Sequence, residues 1–531
     1  MTPVFRNRST SRDCWRHRIR LQAVNAAIAL AIAIAAATAL HGQPDPRVVT
    51  RRWIASHQRE IVGELLDLLT IPNVSADRAN IRKNAERLRT MLTRRGFAAE
   101  LLETDRNPLV YGERNAASAA ARTLLFYAHY DGQPVDPKGW QQPDPFKPVI
   151  RTGRFDRGGQ VIADGDTRST YDADWRIYAR SASDDKAPIV ALLSAVDALG
   201  ARGSAPGMNV RVILDGEEEA SSPSLTPAIG RHQQKLRAEV MVILDGPMHS
   251  SGRPTVVYGA RGLVAFNLTV FGPKAGVHSG NYGNWIPNPA QRLASLLASM
   301  KNDNGRVLVA GFYDGVVPPS PEERARLGTL PDDSADMLRA LGVAAPEQAF
   351  PGLQDALVYP TLNVRGMTSA HVGAGARTII PDRATAAIDV RLVKETRADD
   401  LLDKIRAHVR AQGYHLIDAR EPDDETRAKY SRIARLEVLP HATNAFRISP
   451  LDPEARRIVD ALHKYFDEPP VQLRTLGGTV PIAPFIEALG FPAVLLPTVN
   501  FDNNQHEENE NLRIGHLFQA IEALTAVLGS Q

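Results

Sequence analysis

Two hydrophobic rhythms alternate along the chain. Trp53, Ile54, Ile61, Val62, Leu65, Leu66 and Leu69 recur at helical spacing and predict an amphipathic helix over 48–70, stopped by Pro72. A second helix is predicted over 80–96, closed by Gly96. Three apolar runs read as buried strands: Thr123–Asp131, Asn209–Glu219 and Ala238–Gly246. Lys186–Leu199 carries a helical pattern, whereas 141–177 is rich in Pro, Gly and Asp and reads as a loop excursion. Strands alternating with helices predict an α/β unit with a mostly parallel sheet.

From about Tyr258 the rhythm changes. GLVAFNLTVFG alternates as a half-exposed strand does, and a helix is expected over 288–301. A loop-rich acidic stretch covers 302–358, then Ala384–Val393 reads as a strand and DDLLDKIRAHVRAQG as a helix. After about Phe446 the first texture returns, with a helix over 453–465, a strand in GFPAVLLP and a last helix from about Leu512. The simplest organisation is an α/β domain over 48–252 and 447–531, interrupted by an α+β domain over 253–446.

Composition narrows the class. The chain has 531 residues, 43% hydrophobic and 23% charged, which excludes a disordered chain, a collagen and a polytopic membrane protein. Its single cysteine, Cys14, excludes an internal disulfide and a cysteine-rich zinc cluster. The net charge of +3 is misleading, because the basic excess is local. Arg6, Arg8, Arg12, Arg16, Arg18 and Arg20 precede an uncharged run from Ala23 to Leu40, the design of an export signal with cleavage near Ala39. Residues 1–39 are therefore expected to be a signal peptide or, uncleaved, a membrane anchor over 23–40. Taking six Arg and one Asp from 63 basic and 60 acidic residues leaves a net charge of −2. The bulk of the chain is expected to be exported, periplasmic or secreted. No basic stripe with interleaved aromatics and no zinc-finger spacing is present, so a nucleic-acid partner is not expected.

The informative residues stand at the ends of the predicted strands, where open α/β sheets bind their ligands. His129 and Asp131 follow LLFYA; Glu217, Glu218 and Glu219 follow VRVILDG; Asp245 follows MVIL; His506 follows the GFPAVLLP strand. Asp184 and Asp185 open a helix. Any one of these alone is an ordinary cap, solvated acid or surface histidine. Together they form a mixed nitrogen and oxygen donor set that suits zinc or manganese. They hold more carboxylates than one ion needs, which suggests two ions sharing a bridge, the arrangement of a hydrolytic site.

With these residues in view, the sequence resembles the carnosinase-type dinuclear zinc peptidases, a group that includes bacterial dipeptidases, glutamate-releasing carboxypeptidases, aminoacylases and succinyl-diaminopimelate desuccinylase. The resemblance runs over about residues 50–525 and rests on AHYDGQPV, SASDDKAP, LDGEEEASS, VILDG, GVHSGNYGNWIPNP, GARTIIP, DVRLV, GGTVPI and DNNQHEENENLR, in the family's order. It implies a zinc-exopeptidase-like catalytic domain with a mostly parallel sheet and an inserted α+β lid or dimerisation domain. It implies two divalent ions per subunit, zinc above all, with manganese or cobalt as substitutes. His129, Asp184 and Asp245 would hold one ion, and Asp184, Glu219 and His506 the other, with Asp184 bridging and the Asp184–Asp185 peptide cis. Asp131 would orient His129, and Glu218 would be the general base. His278 would reach the active site of a partner subunit to stabilise the oxyanion. Arg391 would hold the substrate carboxylate beside a turn at Gly477, Gly478 and Thr479. Asn288 stands at the family's NP position.

Some positions depart from the family pattern. Ala187 stands where glycine is common, Asp215 replaces a glutamate, Ala220 and Ser221 replace a glycine-containing turn, and Glu507 and Glu508 replace Ser-Pro. None removes a ligand or the base. Aspartate at 245, the long 302–358 segment and the NENLR ending resemble the dipeptidase branch. The expected function is a metal-dependent exopeptidase acting on small peptides as a homodimer. An N-acyl amino acid amidohydrolase is the alternative, and a non-catalytic binding protein the remote one, opposed by the presence of Glu218.

Overall fold

The computed structural model describes residues 45–530, apart from 119, 331, 332 and 441. The expected leader over 1–39, Cys14 included, lies outside the described residues. Among the described residues no helix is long and apolar enough to cross a membrane.

The first helical pattern forms two helices, Pro46–Ser56 and Gln58–Leu69. Asp45 caps the first by accepting the Arg47 N–H at 2.9 Å, with Pro46 pre-set for the first turn. The break falls at His57, whose Nδ1 turns back to the Trp53 carbonyl at 2.8 Å. Asp77 caps the next helix, Arg78–Arg94.

An eight-stranded sheet organises the larger part of the molecule. Its order is Ala98–Leu102, Leu109–Arg114, Asn209–Asp215, Thr123–His129, Val240–Ile243, Ala493–Leu495, Thr255–Val257 and Val471–Leu473. The four middle strands, Asn209–Asp215 through Ala493–Leu495, are parallel; the first two pair antiparallel. Apolar side chains cover both faces, as a sheet buried on both sides requires. One face packs against Lys186–Ala201, Pro453–Tyr465, Ile514–Gly529 and the three N-terminal helices. The other packs against Leu225–His232 and Ala483–Leu489. Lys186–Ala201 is apolar all round and buried over nearly its whole length, as a helix wedged between sheet and outer helices must be.

Between its passes through this sheet the chain builds a second one. Thr361–Thr368, Arg383–Leu392, Gly262–Phe271, Ile433–Val438 and His415–Leu416 lie in that order, antiparallel except for the last pair. Gly262–Phe271 and Arg383–Leu392 alternate buried and half-buried residues, so one face is packed. That face meets Pro289–Met300 and Ala398–Ala411 in a hydrophobic core of its own.

Some boundaries differ from the sequence expectation. The strand expected over Asn209–Glu219 ends at Asp215, because residues 217–222 coil into a tight turn around Glu218. The 141–177 excursion contains Val149–Arg151 and Arg176–Tyr178, which join Asn511–Arg513 in a three-stranded sheet. The 302–358 segment carries the short helices Pro321–Leu327, Ser334–Leu341 and Leu353–Ala356.

Candidate metal centre

The middle strands of the large sheet deliver the acidic and imidazole groups to one edge. His129 is the last residue of its strand and pairs in register with Asp215, the last of the neighbouring strand. Asp245 lies two residues past Val240–Ile243. Glu218 and Glu219 sit in the turn after Asp215, and Asp184 immediately precedes the Asp185 cap of helix Lys186–Ala201. His506 comes from the loop after Ala493–Leu495 and adopts a left-handed backbone, φ 67°. A non-glycine residue there costs on the order of 1 kcal/mol, which the surrounding fold must impose.

Two donor groups result, sharing one residue. His129, Asp184 and Asp245 each place a donor atom within 4.8 Å of the others, and so do Asp184, Glu219 and His506. His129 Nε2 is 2.8 Å from Asp184 Oδ1, and His506 Nε2 is 3.2 Å from Asp184 Oδ2 and 3.6 Å from Glu219 Oε2. Glu218 Oε2 lies 4.0 Å from His129 Nε2. The Asp184–Asp185 peptide is cis. Asp131 ties the set together. Its Oδ1 accepts the Glu218 N–H at 3.0 Å, its Oδ2 accepts the Glu219 N–H at 3.1 Å, and His129 Nδ1 stands 3.4 Å from Oδ1. Asp185 Oδ2 accepts the His129 N–H at 3.2 Å. These groups are buried or nearly so, except His506, whose side chain is 55% exposed and marks the open side.

The charges do not balance within the protein. Burial and the neighbouring carboxylates push Glu219 up to about 8 and Asp245 up to about 6, and burial drives Glu218 well above the usual carboxylate range. Burial opposes a charge on His129, yet Glu218, Asp131 and Asp184 outweigh it and raise the imidazole well above its ordinary value. The close contact with Asp184 lifts His506 to about 9, and Asp184, between two histidines, is held far below the usual range despite burial. A buried cluster with this many carboxylates keeps protons unless cations replace them. The donor set fits divalent ions. Atoms at about 2.0–2.1 Å from one tetrahedral ion are about 3.3 Å apart, close to the spacings around Asp184. Asp184 Oδ2 is a buried oxygen whose nearest nitrogen is His506 Nε2 at 3.2 Å, in contact but outside good hydrogen-bond geometry.

Other residues expected to act lie elsewhere. Arg391 and Thr479 meet across the two sheets: Arg391 Nη1 donates to Thr479 Oγ1 at 2.7 Å. Gly478 is exposed beside them, and its carbonyl accepts the Arg261 N–H at 3.2 Å. His278 belongs to neither donor group. It is exposed, pairs with Ile379 in a two-stranded ribbon and accepts the Gly280 N–H at 3.1 Å. Asn288 caps helix Pro289–Met300. Asp215 is buried and bonds the Glu217 N–H at 3.0 Å; burial and the nearby Asp131 push it up to about 7. Ser221 and Ser222 complete their turn with positive φ, 72° and 50°, the geometry a glycine turn would supply.

Two further residues support the centre and escaped the sequence reading. Lys186 is fully buried and donates to the Leu68 and Ile71 carbonyls, both at 2.9 Å, fastening the start of its helix to the end of Gln58–Leu69. Glu510 is fully buried and accepts hydrogen bonds from Arg180, Ser181, Ser183 and Asp184. In sequence Glu510 is one acid of HEENEN, and no hydrophobic rhythm separates it from the exposed Glu507.

A strand-edge cluster of imidazoles and carboxylates around one shared aspartate, on an α/β sheet with an inserted α+β unit, defines a metallopeptidase. The chain belongs to the peptidase family M20/M25/M40, whose sequence profile matches residues 125–530. It is 27% identical over 367 residues to a Cys-Gly metallodipeptidase of Schizosaccharomyces pombe, covering 66% of this chain and 72% of the relative. It is also 27% identical over 399 residues to the human Beta-Ala-His dipeptidase, covering 73% and 71%. The M20 family metallo-carboxypeptidase of Sulfolobus solfataricus superimposes with a TM-score of 0.71 at 27% identity, covering 88% of this chain and 98% of that one. A di-peptidase of Saccharomyces cerevisiae gives 0.70 at 23% identity, covering 92% and 98%.

Proposed function

We propose that this chain is an exported dinuclear-metal exopeptidase that cleaves small peptides, dipeptides foremost, with zinc as the resident metal. The observation that carries the reading is the pair of donor groups sharing Asp184, with the carboxylate of Glu218, in neither group, beside them. The dipeptidase relatives in yeast and human support the substrate class.

In this reading His129, Asp184 and Asp245 hold one ion and Asp184, Glu219 and His506 the other. Bound there, the ions supply Lewis acidity, lowering the pKa of a water to about 7 and polarising the scissile carbonyl. Glu218 accepts the water's proton and returns it to the leaving amine, a role worth about 10²–10⁴ in rate. Asp131 acts at both ends of this arrangement. It orients the His129 ring and, through two backbone N–H groups, fixes the turn that aims Glu218 and Glu219. Arg391, steadied by Thr479, binds the substrate carboxylate, and the Gly478 backbone lets substrate approach closely.

The segments that build the large sheet, 48 to about 257 and 447–531, form the catalytic domain, the boundary expected at 253 moving past Val257 because Thr255–Val257 is a strand of that sheet; the remainder up to 446 forms the lid and dimerisation domain. The exposed His278 serves the partner's site in a homodimer, donating to the developing oxyanion. The leader over 1–39 directs export, and only its retention would tether the enzyme to a membrane.

The test is a substrate panel after chelation and re-addition of zinc or manganese. Unblocked dipeptides are expected to be cleaved and N-acyl amino acids to lag behind. Hydrolysis of acyl amino acids with no dipeptide turnover contradicts the dipeptidase reading.

A further inference from the structure

Glu510 makes an unusual set of bonds for a buried carboxylate. Its Oε1 accepts the Ser183 N–H, the Ser183 hydroxyl and the Asp184 N–H, each at 2.9 Å. Its Oε2 accepts the Ser181 N–H and Arg180 Nη1, also at 2.9 Å. Arg180 is itself buried, with its guanidinium over the Trp140 ring. All five partners are donors, so the site is built for an anion with two accepting oxygens.

The location matters more than the number. Glu510 begins the short stretch in which Asn511–Arg513 pairs with Arg176–Tyr178, and its own carbonyl accepts the Ala179 N–H at 3.2 Å. His506 lies just before Glu510 in the chain, and Asp184 just after Arg176–Tyr178. One carboxylate therefore joins the two loops that supply Asp184 and His506. His129 and Asp245 depend on something else: their strands pair directly in the large sheet, Leu124 opposite Val240 through Tyr127 opposite Ile243.

We infer that Glu510 is a positioning residue that sets the spacing of Asp184 and His506, and so governs the Asp184/Glu219/His506 ion in preference to the His129/Asp184/Asp245 ion. The inference rests on the dinuclear reading above. Its mechanism is the preorganisation that groups behind metal ligands provide, where substitutions cost about 10–100-fold in metal affinity. Glu510→Gln keeps size and shape but turns an NH₂ toward donors, which unpairs at least one side of the clamp.

The experiment is stepwise zinc binding to the metal-free full chain, followed by competition with a chromogenic chelator. Wild type is expected to take two ions. Glu510→Gln is expected to keep one ion at near wild-type affinity and to lose about 10–100-fold on the other. Two ions at wild-type affinity, or an equal loss on both, overturns the inference while leaving the dinuclear reading intact. A wild type that binds fewer than two ions overturns both. Should Glu510→Gln fail to fold, Ser183→Ala removes a single donor to Oε1 and decides the matter. A smaller loss confined to one ion is expected, and unchanged binding of both ions overturns the inference.

Discussion

At the scale of single residues, the centre is a problem of charge. Glu219, Asp245 and His506 all keep protons at pH values where the unfolded chain has released them: Glu219 to about 8 rather than 4.5, Asp245 to about 6 rather than 3.8, His506 to about 9 rather than 6.5. The folded metal-free protein thus binds more protons than the unfolded chain across this range, and stability falls as pH rises. Its melting temperature is expected to drop between pH 6 and 9. Zinc is expected to restore it, with apparent affinity that rises with pH because ligation displaces the same protons. Thermal scans across that range, with and without metal, check this; a metal-free melting temperature that climbs from pH 6 to 9 contradicts it. The candidate ligands are legible in sequence because they follow apolar strands, directly as His129 does or through a loop as His506 does, or stand at a helix start as Asp184 does. Glu510 was not, because its importance lies in which backbone groups surround it, and a run of acids carries no mark of that.

At the scale of elements, agreement followed local punctuation. The helix Pro453–Tyr465 begins where expected because Asp452 caps it and Pro453 fits its first turn. The apolar spacing carries across His57 and predicts one continuous helix; the break comes from the His57 backbone, whose N–H closes onto the Ile54 carbonyl while its ring bonds the Trp53 carbonyl. The strand stops at Asp215, short of the expected Glu219, because the backbone of 217–222 closes a tight turn around Glu218 that no apolar pattern marks. Helix Lys186–Ala201 bears stability for the whole centre. Leu192, buried within it, is expected on replacement by alanine to cost about 2–5 kcal/mol in denaturant melts while two metal ions still bind. Loss of metal without loss of stability contradicts the separation of core from site.

At the scale of the whole molecule, the two sheets have separate cores, and Arg391 on the second reaches Thr479 in the loop after Val471–Leu473 of the first, one of several contacts between them. The alternating texture of Gly262–Phe271 made the second unit legible, whereas strands such as Thr361–Thr368, mostly exposed, offered no apolar pattern to read. His278 belongs to neither donor group of its own chain, so the oxyanion role proposed for it would need a second copy. His278→Ala is expected to lower kcat by about 10²–10³, the cost of one oxyanion donor, with metal content and dimer mass unchanged. A fully active monomer in light scattering contradicts the shared site.

The central claim is that Glu218 is the proton carrier of a two-ion centre it does not help to ligate. Metal content and dipeptide turnover measured together on Glu218→Gln test it most directly. Close to two ions per chain and turnover lowered by about 10²–10⁴-fold are expected. Turnover at the wild-type level with both ions present would contradict it.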